Sequence, residues 1–209
     1  MQEQPLSITG PSGSLELRFT PNTGVIGVVV CHPHPLHGGT MHNKVVTTLC
    51  KSFSELGYPT LRFNFRGIGH SEGSFNHGVG ETSDTLAVIE WLKQTYGIKK
   101  ILLAGFSFGA FVALNVCQQF TPQQVLLVAP PTEYPEFNTL IAPKHWSLIV
   151  ACDDEVVSTP AILAWTQRQQ APEAFLQVEN ASHFFHGKLA ILKQFIHDHF
   201  TLEKLNHGN

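Results

Sequence analysis

Three kinds of residue in this chain can together carry out covalent acyl chemistry: Ser107, the neighbours Asp153 and Asp154, and His183. A serine hydroxyl is a poor nucleophile until a base accepts its proton, and a neutral imidazole suits that task near pH 7. The imidazole needs a carboxylate on its other nitrogen to fix its tautomer and orientation. Ser107 stands in Gly105-Phe106-Ser107-Phe108-Gly109, between the apolar run Ile101–Ala104 and a second apolar run, Ala110–Leu114. The first run reads as a buried strand and the second as a buried helix. G-x-S-x-G at the turn between them is the pattern of a nucleophile elbow, which projects the serine at the edge of a sheet. Side chains at either glycine would crowd the strand and the helix as the backbone reverses. The Phe108 backbone N–H, at the helix start, would point to where negative charge develops during attack.

The surrounding elements must place these residues. Residues 6–20 alternate around Gly10-Pro11-Ser12-Gly13 and predict an antiparallel hairpin. Continuous or alternating apolar runs predict strands at 25–31, 60–65, 101–104, 125–129, 148–151 and 174–178. Helical spacing predicts helices over 45–56, 82–96, 110–114 onward, 161–167 and 187–200, the first stopped by Gly57. Strand and helix alternate after residue 25, which argues for a mostly parallel α/β sheet, doubly wound with helices on both faces. Only Pro130–Trp146 separates two successive strands after the elbow helix, too short for a lid. At 209 residues and 43% apolar content the chain is expected to form a single domain over 1–209.

In such sheets ligands bind beyond the C-terminal strand ends, and Ser107, the aspartate pair and His183 all fall there. Asp153 and Asp154 compete as the acid. The D-x-x-V-V shape, with Val156 and Val157 anchoring the loop, favours Asp154. His183 and His186 compete as the base, and His183 is nearer the strand end. A second oxyanion donor is expected from the loop after strand 25–31. Pro33 and Pro35 have no N–H there, so the backbone N–H of His34 is the first choice and Leu36 the alternative. His32-x-His34-x-x-His37 could also be read as a metal cluster. It lacks the acid of H-x-H-x-D-H, since Leu36 occupies that place, so neither a metal nor an organic cofactor is expected. Arg66, His70 and Ser71 can line the site, although a hydrogen-bonded turn accounts for them more simply. Glu81 and Asp84 suit a helix start. Phe106 and Phe108 can wall an acyl group.

Charged residues make up only 14% of the chain and the formal net charge is −3, which gives no electrostatic footprint for nucleic acid or an anionic membrane. The start, M-Q-E-Q-P-L-S-I-T-G, has neither the basic segment nor the apolar stretch of a signal peptide, and no apolar run reaches a membrane span. Cys31, Cys50, Cys117 and Cys152 lie in apolar runs without C-x-x-C pairing. A cytoplasmic protein acting on a small molecule is the expectation.

Five stretches resemble the α/β-hydrolase superfamily: C-H-P-H-P-L-H-G-G-T-M-H-N-K-V-V, L-R-F-N-F-R-G-I-G-H-S-E-G, A-G-F-S-F-G-A, A-C-D-D-E-V-V and A-S-H-F-F-H-G-K-L. Together they look most like a small, lidless bacterial branch of predicted hydrolases and esterases, related to dienelactone hydrolases. The resemblance implies Ser107 as nucleophile, Asp154 as acid and His183 as base. Where the family commonly has G-D-x-D, this chain has Ala151-Cys152-Asp153-Asp154, with the last aspartate in register. The implied activity is hydrolysis of small carboxylic esters through an acyl-enzyme. A thioesterase or small-peptide hydrolase using the same site, or a non-catalytic binding protein on this fold, are the alternatives.

Overall fold

The computed structural model describes residues 2–203. Eight strands form one sheet: β1 (Gln4–Gly10), β2 (Gly13–Thr20), β3 (Ile26–Cys31), β4 (Thr60–Phe63), β5 (Lys100–Phe106), β6 (Gln124–Val128), β7 (Trp146–Ala151) and β8 (Ala174–Val178). Their spatial order is β1-β2-β4-β3-β5-β6-β7-β8. β1 and β2 form the expected hairpin, and β2 joins β4 antiparallel. Every pairing from β4 across to β8 is parallel. Strands covered on both faces read as unbroken apolar runs, and all six residues of β3 and of β7 are buried. The edge strands are more exposed: β1 buries only Ile8, and β8 buries its two ends, Ala174 and Val178, while Phe175 and Gln177 are exposed.

The helices are α1 (Lys44–Glu55), α2 (Val79–Tyr96), α3 (Phe108–Cys117), α4 (Thr159–Thr166) and α5 (Leu189–His199). Right-handed crossovers put α1, which leads from β3 out to β4, on the opposite face from α2 and α3, which lead the other way. Accordingly α1 packs against α5, and α2 against α3. Where a lid would be inserted, between β6 and β7, there is only a loop with one short 3-10 turn (Pro135–Thr139).

Two local readings shift. α2 starts at Val79, ahead of the expected residue 82, because Glu81 folds back over the preceding loop: its carboxylate accepts the N–H groups of Asn76 and Gly78, both at 2.8 Å. Asp84 does not answer the helix dipole. It is fully buried and grips Arg66 bidentately, Nε to Oδ2 at 2.9 Å and Nη2 to Oδ1 at 2.6 Å. Arg66 and Ser71 therefore hold a turn: the Ser71 hydroxyl donates to Asn64 O at 2.7 Å and accepts the N–H of Glu16 at 2.9 Å. This fastens the loop after β4 to β2.

Candidate active site

The elbow forms as the glycines require. Ser107 has φ 54° and ψ −122°, a backbone conformation that costs roughly 1–3 kcal/mol and persists only where the surroundings impose it. Here Ser107 N donates to Val128 O of β6 at 2.8 Å, and Ser107 O accepts from Ala110 N at 2.8 Å. A Cβ on Gly105 would lie 2.2 Å from Gly109 O, and one on Gly109 would lie 2.3 Å from Cys31 O. Both obstacles are backbone, so neither can give way. The closeness of the α3 start to the end of β3 brings the loop 32–39 beside the serine.

The structure brings Ser107, His183 and Asp154 together from the ends of β5, β8 and β7. Ser107 Oγ and His183 Nε2 are 3.0 Å apart, and His183 Nδ1 is 2.8 Å from Asp154 Oδ2. The His183 and Asp154 side chains are almost wholly buried. The other Asp154 oxygen accepts the N–H groups of Val156 and Val157, each at 2.9 Å, so the D-x-x-V-V loop aims the carboxylate. Asp153 is exposed, with its backbone N–H bonded to Ala181 O. His186 is also exposed, ahead of α5. Phe106 is fully buried with its ring centroid 5.0 Å from that of His183, so it walls the imidazole and leaves any acyl group to Phe108.

Two contributors escaped the sequence reading. Glu155 Oε2 accepts the backbone N–H of His183 at 3.0 Å and so ties the β8 loop to the acid loop. Its place directly after the aspartate pair was the available signal. His32 is the other. Its ring is fully buried, with Nδ1 at 2.6 Å from Pro33 O and Nε2 accepting Phe65 N–H at 3.1 Å. Both ring nitrogens thus have backbone partners, and His32 pins the loop that carries His34. The His34 and His37 rings stack at 4.4 Å. Among the described residues no group of His, Cys, Asp and Glu is placed to hold a metal ion. The Leu36 N–H is already given to His34 Nδ1 at 3.2 Å. Asn43 caps α1 through its side-chain oxygen, which accepts Val45 N–H at 2.8 Å.

Burial pushes the His32 ring from its ordinary value of 6.5 down to about 3. The unfolded chain binds a proton there below pH 6.5, whereas the folded one stays neutral until near pH 3. The stability contribution is therefore complete above pH 6.5 and lost as pH falls towards 3. Urea midpoints at pH 7 and 4.5 are expected to show a steeper acid loss for the wild type than for His32→Gln, which starts less stable but has no ring to titrate. Equal slopes would contradict a buried neutral His32.

A cleft of about 160 Å³ opens over the site, bounded by Pro33, His34, Gly39, Ser107, Val156, His183 and Phe184. Residues 35–145 match the family model for the alpha/beta hydrolase fold. The chain belongs to the α/β-hydrolase family. This hydrolase is 41% identical to an α/β serine hydrolase homologue from Coxiella burnetii, over 95% of this chain and 98% of that one, with a TM-score of 0.89. It is 37% identical to a lidless α/β serine hydrolase from Xanthomonas campestris, over 94% and 93% of the two chains, with a TM-score of 0.88. Among curated relatives, an uncharacterized protein of Rickettsia prowazekii is 32% identical over 95% of this chain and 89% of its own. A lysophosphatidylserine lipase from Danio rerio is 39% identical over 102 residues; the match spans 46% of this chain but only 26% of the lipase. No helix of this hydrolase, among the described residues, is long and apolar enough to cross a membrane.

Proposed function

We propose that this α/β hydrolase cleaves small carboxylic esters by a two-step serine mechanism with Ser107 as nucleophile, His183 as base and Asp154 as its orienting acid. The observation that carries the reading is the unbroken chain from Ser107 Oγ to His183 Nε2 at 3.0 Å and from His183 Nδ1 to Asp154 Oδ2 at 2.8 Å, at the foot of an open cleft. As Ser107 Oγ bonds to the ester carbonyl carbon, its proton passes to His183 Nε2. The carbonyl oxygen becomes an oxyanion, held by the backbone N–H groups of Phe108 and His34. Asp154 keeps Nδ1 protonated and balances the imidazolium. Collapse of the tetrahedral species expels the alcohol, which takes the Nε2 proton. Water then attacks the acyl-enzyme by the same route, giving the carboxylic acid and restoring Ser107.

Esters are favoured over peptides because the cleft is small, about 160 Å³, and Pro33, Val156 and Phe184 give it apolar walls. A panel of acyl esters, the matching thioesters and short peptides tests this. Esters of small alcohols are expected to turn over fastest. Faster turnover of thioesters or peptides would replace the ester reading while keeping the serine mechanism.

A further inference from the structure

A second cavity adjoins the cleft and shares His34 with it. It measures about 540 Å³, against about 160 Å³ for the cleft itself. Its walls are largely aromatic: Phe75, Phe108, Phe111 and Tyr134 surround it with the His34 ring. The His34 centroid lies 5.0 Å from those of both Phe75 and Phe108 and 6.5 Å from Tyr134, while Phe111 and Tyr134 are 5.6 Å apart. The mouth is open, since Leu36 and Val79 at its rim are 66% and 72% exposed.

Resting on the ester-hydrolase reading above, we infer that this chamber is the acyl-group subsite and that it selects aryl-bearing acyl groups. The direction follows from proton transfer. The departing alcohol must take its proton from His183 Nε2, so it occupies the cleft that His183 and Val156 line. The group that stays on the carbonyl lies on the other side. There Phe108, the proposed oxyanion donor, begins the chamber wall, and neither Ser107 nor His183 contributes to that wall. Selection follows from the lining. A linear alkyl chain gains from burial alone, whereas an aromatic ring also gains edge-to-face and offset contacts with the rings around it.

The test uses three p-nitrophenyl esters with a common leaving group: acetyl, 3-phenylpropanoyl, and the linear acyl group with the same carbon count as 3-phenylpropanoyl. In the wild type, kcat/KM for the phenylpropanoyl ester is expected to exceed that for the linear one on the order of tenfold. Tyr134→Ala removes one wall, and Val79→Trp narrows the mouth from a residue outside the core. Each is expected to lower the phenylpropanoyl value about tenfold, mainly through KM, while acetyl turnover stays within about twofold. A linear ester that matches or beats the aryl ester, or variants that slow acetyl and aryl esters alike, would overturn the subsite. Binding of 3-phenylpropanoate to Ser107→Ala protein, followed by NMR titration, decides separately. Saturable binding weakened by Tyr134→Ala supports the chamber even if no ester is turned over, an outcome that would sink only the hydrolase reading. No binding of the aryl carboxylate overturns the subsite even if esters are cleaved.

Discussion

Ser107→Ala is expected to yield a folded protein whose kcat for ester hydrolysis has fallen by about 10⁴–10⁶. The fold should survive because alanine meets the same φ of 54° that the serine already bears, and the Ser107 N–H and C=O keep their partners Val128 and Ala110. What disappears is the hydroxyl that faces His183 Nε2. The residual rate is expected from the proposed oxyanion donors and from binding, neither of which the substitution touches. Steady-state kinetics alongside circular dichroism separate the two effects. Turnover near the wild-type rate with native dichroism would remove Ser107 from the chemistry.

The aspartate pair provides the second large effect. Asp154→Asn is expected to cost on the order of 10⁴ in kcat, and Asp153→Asn less than about threefold. The asparagine oxygen can still accept the N–H groups of Val156 and Val157, so the loop keeps its shape. Its amide nitrogen then faces His183 Nδ1, where an acceptor is required. The imidazole is driven to the tautomer that places its hydrogen on Nε2, and it can no longer accept the serine proton. Asp153 is exposed and is held by its backbone N–H to Ala181 O, which the substitution leaves alone. Kinetics on the two single variants decide the matter. A large loss for Asp153→Asn beside near-normal Asp154→Asn would reverse the assignment.

Much of the fold was legible because local pattern and tertiary role coincide. The elbow announces itself: an apolar run, two glycines at fixed offsets and a second apolar run leave few other conformations, and the structure has backbone where either extra Cβ would go. β8 runs over residues 174–178 as expected, and the N-terminal hairpin turns at Gly10–Gly13. The parts that were harder to read depend on contacts distant in sequence. Asp84 looks like a helix-start acid until Arg66 is seen against it. The start of α2 is hidden in N-H-G-V-G, where Gly78 adopts φ 93° and Glu81 reaches back to cap. His32 resembles a metal ligand as long as its partners Pro33 and Phe65 are unknown. The aromatic chamber draws on residues 34, 75, 108, 111 and 134, which no single window of sequence unites.

Arg66 and His32 share a lesson about where the machinery is held. Neither faces the cleft, yet Arg66–Asp84 locks the loop after β4, and His32 joins that loop to the one carrying His34 through Phe65 N–H. Buried polar groups satisfied in this way rigidify a site, and leaving one partner unpaired costs about 1–3 kcal/mol.

The central claim is that Ser107 is a nucleophile activated by His183. The most direct measurement is covalent labelling with a fluorophosphonate, read by intact mass and peptide mapping. One adduct is expected, on Ser107, formed at a rate that collapses in Asp154→Asn and with no labelling in Ser107→Ala. An unlabelled wild-type protein that still hydrolyses esters, or an adduct on another residue, would contradict the account.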